Sequence, residues 1–131
     1  MSLAINEDGI QALIKNFSSV GKNVDVVKTR TTPDFRFIRP SGNPLDAAGF
    51  ANMFASGDLV MQSIGLSKVH RLDVYGDRAF AAFTQVATFT YKGVPNDDVF
   101  TVTALFQKID GLWYFSWMQR SSGQADSAAW F

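Results

Sequence analysis

Cysteine is absent from the chain, and with it go disulfides, thiolate metal sites and thiol nucleophiles. Histidine occurs once, at His70. One imidazole without cysteines or clustered carboxylates builds no zinc site, so neither a metal nor any other cofactor is expected. Charge of one sign is not in excess either: twelve Lys and Arg balance twelve Asp and Glu. Without a basic field to meet phosphates, nucleic acid is not an expected partner. The densest basic group, Lys28 and Arg30 followed by Arg36 and Arg39, is interrupted by Thr31, Thr32 and Asp34, the pattern of a solvated face. No apolar run approaches the ~20 residues that cross a bilayer, and no basic segment leads into an apolar one at the N-terminus. A cytoplasmic protein without a membrane partner is the expectation. Walker, Rossmann, nucleophile-elbow and zinc signatures are missing as well.

What remains is a chain of 131 residues, 47% hydrophobic and only 18% charged, which is ample material for one core and too little charge for disorder. A chain of this length forms one domain by default and buries roughly two thirds of its unfolded surface. The expectation is a single domain over 1–131, with 1–4 a cloning remnant or disordered start and 123–131 a tail. Zero net charge lowers repulsion between copies, which suits an oligomer.

Asn6 can cap a helix with Glu7 and Asp8 in its first turn, and Ile10, Leu13, Ile14 and Phe17 then recur at helical spacing up to Gly21. Asn23 to Lys28 fits either a short helix or an irregular turn. Pro33-Asp34 opens a short strand, Phe35 to Arg39, stopped by Pro40-Ser41-Gly42. Asn43 can cap a second main helix with Pro44 at its first position, running Leu45 to Ser56 and ending at Gly57; Leu45, Phe50, Met53 and Phe54 belong to its buried side. Everything beyond reads as sheet. A strand region from about Leu59 to Tyr75 turns at Gly76-Asp77 into Ala79–Tyr91, then at Gly93-Val94-Pro95-Asn96 into Val99–Ile109, then at Asp110-Gly111 into Leu112–Ser121. The tail shows no period until Trp130-Phe131, which either fray or dock. This order, helices first and an antiparallel meander after, defines an α+β fold.

Strand alternation sorts the faces. Phe83, Gln85, Phe89 and Tyr91 share one face of the second long strand, Phe100, Val102, Ala104 and Phe106 one face of the third, and Trp113, Phe115, Trp117 and Gln119 one face of the last; all three sets are assigned to the concave side. The opposite face, rich in Thr and carrying Leu105, Met118 and Tyr114, has the mixed composition of a surface that meets another subunit. A homodimer through that convex face is expected.

Two segments carry a resemblance. Phe35-Arg36-Phe37-Ile38-Arg39-Pro40-Ser41-Gly42 before a helix, and Lys108-Ile109-Asp110-Gly111-Leu112-Trp113-Tyr114-Phe115 near the end, together with the element order, resemble the NTF2-like superfamily, closest to its SnoaL-like and small bacterial pocket-protein branches. The resemblance runs from Ile5 to Gly123. It implies a cystatin-like cone: a curved, mostly antiparallel sheet wrapped around about three N-terminal helices, its open end admitting a small apolar ligand. The superfamily holds isomerases, dehydratases, polyketide cyclases, transport factors and kinase association domains, so fold alone selects no function. In ketosteroid isomerases a catalytic carboxylate stands immediately before the Pro-x-Gly stop, where this chain has Arg39. The oxyanion tyrosine of their first helix has no counterpart here, nor does the histidine pair of scytalone-type dehydratases.

The candidate proton carriers are Asp34, near the expected entrance, and His70. A buried carboxylate has its pKa raised and can exchange protons at neutral pH, whereas Asp34 after Pro33 equally suits a turn bonded to its own backbone. For His70, flanking Lys68 and Arg71 favour the neutral ring. The candidate pocket comprises Phe37, Phe83, Gln85, Phe89, Tyr91, Phe106, Trp117 and Gln119. A Gln among rings needs a partner, supplied either by a ligand or by neighbouring side chains and helix ends. The leading expectation is a homodimer binding a small apolar or amphipathic molecule; the alternatives are a SnoaL-like lyase or isomerase with Tyr91 or Gln119 donating to an oxyanion, and an association module with a filled cone.

Overall fold

The computed structural model describes residues 2–123, with side chains from Gly9 onward; the expectations for Met1 and for the tail with Trp130 and Phe131 lie outside the described residues. Helix α1 (Ser2–Phe17) presents Ile10, Leu13, Ile14 and Phe17 as one buried stripe. It starts ahead of Asn6, which therefore lies inside it and does not cap it, because Ser2 to Ile5 contain no Gly or Pro to halt the helix. Gly21, at φ 83°, turns the chain into α2 (Lys22–Thr29), whose Asn23, Val26 and Val27 are buried at helical spacing. Of the two readings for this segment, the helix is realised.

The short strand shrinks to β1 (Phe37–Ile38), since Phe35 is tied into a turn by its N–H donating to the Thr32 carbonyl. Pro44 does not start a helix. It lies in β2 (Pro44–Leu45), paired antiparallel with β1 at the edge of the sheet, where its missing N–H leaves no ladder bond unmade. Helix α3 (Ala47–Ala55) accordingly begins later than Asn43 would set it: Asp46 is the cap, its carboxylate accepting the Gly49 N–H at 2.7 Å.

The four long strands are β3 (Leu59–Tyr75), β4 (Arg78–Tyr91), β5 (Val94–Ile109) and β6 (Leu112–Ser122). They form one unclosed sheet in the order β2-β1-β6-β5-β4-β3, antiparallel throughout except where β1 runs parallel to β6. The β4–β5 hairpin is tighter than expected. Tyr91 pairs with Val94 across Lys92 (φ 49°) and Gly93 (φ 83°), the two positive-φ positions of a type I′ turn. Pro95 then sits inside β5 opposite Thr90, tolerated because β6 pairs β5 only from Phe100 onward.

Extra residues curl this sheet. β3 shifts register against β4 between Met61 and Ser63, between Leu66 and Lys68, and between Val69 and Arg71. Each shift restores the inward aim of an apolar side chain, so Met61, Ile64, Leu66, Val69, Leu72 and Val74 all pack on the core although they are not evenly spaced. In β6 one extra residue, Ser116, separates Phe115, opposite Phe106, from Trp117, opposite Leu105. The concave side holds Phe17, Phe50, Phe83, Phe106 and Phe115, each essentially inaccessible. Phe17 packs against both Phe50 and Phe115, at 6.2 and 5.3 Å between ring centres, joining helix layer to sheet. Among the described residues no helix is long and apolar enough to cross a membrane.

Candidate functional site

The extra residue Ser116 decides what faces inward at the far end of β6. Trp113 and Phe115 are buried on the concave side as expected, but beyond Ser116 the alternation is inverted. Met118 and Arg120 turn inward, at 1% and 8% exposure, and Trp117 and Gln119 turn out to the convex face. Placement of Trp117 and Gln119 in the pocket is thereby corrected, as is that of Met118 on the outer face.

A cavity of about 410 Å³ lies where the inverted end of β6 meets β1, the β1–β2 turn and α3. Phe37, Phe50, Phe100 and Leu59 form its buried inner walls; exposed Pro40, Ser41 and Asn43 form its mouth. Phe37 and Phe50 stack at 4.3 Å with their planes 18° apart, and Phe89 lies 6.0 Å from Phe100. Its volume falls within the roughly 300–1,000 Å³ of small-molecule sites.

Arg120 is the charged group at the inner end. Its Nη2 donates to Gln85 Oε1 at 2.9 Å, and Gln85 Nε2 donates to the Ser18 hydroxyl at 2.8 Å. A polar chain thus runs from the end of α1 along the concave face of the sheet to the cavity. Phe100, Phe37 and Phe17 surround the guanidinium at 4.6, 5.3 and 5.9 Å from their ring centres. Burial pulls its pKa down to about 10, partly opposed by the negative charge of Asp98, which lines the same cavity. It stays a cation at neutral pH. Arg39 adds a second cation near the mouth, its Nε donating to the Asn43 carbonyl at 3.2 Å.

Of the residues expected in the pocket, Phe37, Phe89 and Tyr91 line this cavity. Phe83 and Phe106 are wholly buried in the core beneath it. Gln85 is also wholly buried, and its partners are Ser18 and Arg120, the neighbouring-side-chain alternative. Asp34 is exposed and accepts the Thr32 hydroxyl at 2.7 Å, a turn residue outside the cavity lining. His70 lies on the convex side, its Nε2 2.6 Å from the buried Thr84 hydroxyl. Burial, then the charge of Lys68, lowers its pKa. The sequence does not single out Arg120 or Asp98: strict alternation from Trp113 puts Arg120 outside, and Asp98 falls between the expected turn ending at Asn96 and the expected strand starting at Val99. The apolar spacing Phe115-x-x-Met118 is the one signal in the sequence of a break in that alternation. Among the described residues no group of three or more His, Asp or Glu could hold a metal ion.

A curved, unclosed sheet wrapped around three helices, with a cavity at its open end, defines an NTF2-like protein of cystatin-like fold. More narrowly, the chain belongs to the family described as "Protein of unknown function (DUF3804)", which it matches over residues 5–131. An NTF2-like protein of unknown function from Prochlorococcus marinus is 49% identical, with a TM-score of 0.83 over 92% of this chain and 94% of that one. Two more distant structures share the fold alone. A candidate calcium/calmodulin-dependent kinase II association domain from Exiguobacterium sibiricum is 15% identical, with a TM-score of 0.77 over 91% of this chain and 94% of that chain. A ketosteroid isomerase-like protein from Erwinia carotovora is 19% identical, with a TM-score of 0.62 over 93% and 96% respectively. No curated protein matches the chain by sequence.

Proposed function

We propose that the protein binds a small amphipathic molecule in the cavity beneath the β1–β2 turn, and does so as a homodimer joined through the convex face of its sheet. The observation that carries the binding reading is the cavity itself: about 410 Å³ of space between aromatic walls, in a core otherwise filled by interlocking rings. Interiors are close-packed, and an opening of that size with an apolar interior and a polar mouth is the signature of a ligand site. A cone filled by side chains, as a pure association module would have, is disfavoured on the same ground.

The lyase or isomerase alternative finds less support. Both proposed proton carriers, Asp34 and His70, stand outside the cavity, and the outward turn of Gln119 takes away one of the two proposed oxyanion donors. The ketosteroid isomerase-like neighbour is compatible with catalysis without arguing for it.

The dimer reading draws on the outer face. Leu105 (47% exposed) and Trp117 (40%) are direct cross-strand partners there, with Val86 (48%) on the same face of β4. Thr101, Thr103 and Gln119 lie between them, giving a face of mixed apolar and polar groups. A second copy is the partner that a chain of zero net charge repels least, and one fold neighbour is described as an association domain.

Mass spectrometry of protein purified under native conditions, backed by a thermal-shift panel of apolar and amphipathic compounds, tests the binding reading: a retained or stabilising molecule is expected, and none across the panel would sink it. Unchanged turnover after Asp34→Asn and His70→Gln would remove the catalytic alternative as framed. Sedimentation of Trp117→Lys should show a monomer where the parent chain is a dimer; a monomeric parent would refute the dimer.

A further inference from the structure

We propose that the cavity's ligand is a small monocarboxylic acid with an apolar body, its carboxylate paired with Arg120 at the buried end. This rests on the binding reading above and specifies the chemical class that the site selects.

A guanidinium taken out of water ordinarily has a carboxylate in contact with it. Arg120 has none. Arg71 pairs with Asp73 and Arg78 with Asp77, both near the surface, and neither pair involves Arg120. Asp98 influences Arg120 through its charge without reaching contact distance. The hydrogen-bond inventory of Arg120 is also incomplete. A guanidinium presents five N–H donors in one plane; Nη2 is satisfied by Gln85, whereas Nε is buried and donates to nothing among the described residues. Three phenyl rings lie around the guanidinium, and none of them can accept an in-plane N–H bond as a carboxylate oxygen does. The missing partner is therefore an anionic oxygen entering from the cavity that Arg120 lines.

Charge and shape narrow the class. The lining holds two cations, Arg39 and Arg120, against one carboxylate, Asp98, a net excess of one positive charge. One negative charge neutralises it, and a dianion such as a phosphate monoester would overload it. Planar two-oxygen geometry suits the edge of a guanidinium. Phe37, Phe50, Met53, Leu59 and Phe89 offer the rest of the molecule an apolar wall. Aliphatic or aryl-terminated short-chain acids meet all of these conditions. Binding one would return the pKa of Arg120 toward its ordinary range, since the anion favours the charged form.

The test compares matched pairs on the full chain by calorimetry at neutral pH: straight-chain and phenylalkanoic acids against the corresponding primary amides, which share the body and lack the charge. The acids are expected to bind at least about tenfold more tightly than their amides, as a charge-assisted bond in a buried site implies. Arg120→Met should reduce the acids to the level of the amides. Amides binding as tightly as acids to the parent chain would overturn the carboxylate assignment and leave the binding reading standing, a result that needs no variant to fold. A preference for acids that survives Arg120→Met would overturn the role of Arg120. Neither series binding would overturn both readings together.

Discussion

Replacing Arg120 and its hydrogen-bond partner together by apolar residues should make the empty protein more stable. In the native state the guanidinium is surrounded by rings and by the amide of Gln85, and burial lowers its pKa from the ordinary arginine value to about 10. At about 1.4 kcal/mol per tenfold change in proton affinity, that fall corresponds to roughly 3 kcal/mol of disfavour for the charged form in the folded chain. The sign follows from linkage. Because the folded-state pKa is the lower one, the native protein holds this proton less well than the unfolded chain. The penalty is fully present at every pH below about 10 and fades only as pH rises above that toward the ordinary arginine value. Arg120→Met alone removes the charge but strands Gln85 Oε1, whose lost bond costs roughly 1–3 kcal/mol, so the single variant should be close to neutral. Adding Gln85→Leu removes the orphan; the Ser18 hydroxyl can turn to a carbonyl of its own helix. The double variant should gain about 1–3 kcal/mol, in line with buried charges exchanged for apolar groups elsewhere. Urea unfolding at pH 7 should show a higher midpoint with an unchanged slope, and Tm should rise by roughly 3–5 °C for each kcal/mol in a chain of this size. The variant should also lose the binding of acids. A double variant destabilised by 2 kcal/mol or more would refute the reasoning, because Arg120 would then be a structural strut and not a group held at a loss for a ligand.

Three other outcomes follow from the fold. Deleting Ser116 should remove the extra residue without inverting the face, since Trp117 then follows Phe115 outward and Met118 and Arg120 stay inward; near-UV circular dichroism should keep its signal and urea unfolding its cooperativity, and their loss would contradict the placement of the extra residue, whereas Ser116→Ala should change stability by less than about 1 kcal/mol. Asp46→Ala removes the carboxylate that caps α3 and should cost about 1 kcal/mol in urea unfolding, with Asp46→Asn retaining most of it. His70 has a lowered folded-state pKa, so its contribution is intact above the ordinary value of 6.5 and is lost as pH falls below it; His70→Gln should flatten that part of the stability–pH profile, and an unchanged profile would contradict the assignment.

The helices and long strands could be read from the sequence because their signals are local. The Ile10-Leu13-Ile14-Phe17 stripe needs only helical geometry, and Asp110-Gly111 needs only the positive φ that a two-residue hairpin imposes. Pro44 was ambiguous on local grounds: the same residue suits the first turn of a helix and an edge strand, and pairing with Ile38 settled it. Three of the eight residues expected in the pocket line the cavity: Phe37 on β1, and Phe89 and Tyr91 on β4, whose pairing with β5 is uninterrupted. Phe83, Gln85 and Phe106 face inward but lie beneath it, and Trp117 and Gln119 are turned away at Ser116. An extra residue is a property of the pairing between two strands, and a serine in that place looks like any other outward position. The charged end of the site depends on that one step of register, so plain alternation points to Gln119 where the structure has Arg120.

The mismatch between β3 and β4 has a consequence for how the hollow arises. β3 uses 17 residues to run beside the 14 of β4, as the outer lane of a bend is longer than the inner one. Curvature here is set by arithmetic more than by residue type: many side chains could occupy the surplus positions, but fewer positions would flatten the ribbon onto the helices and squeeze out the space for a guest. Variation in length along that outer lane, more than substitution within it, is therefore the route by which related chains would acquire larger, smaller or vanished hollows.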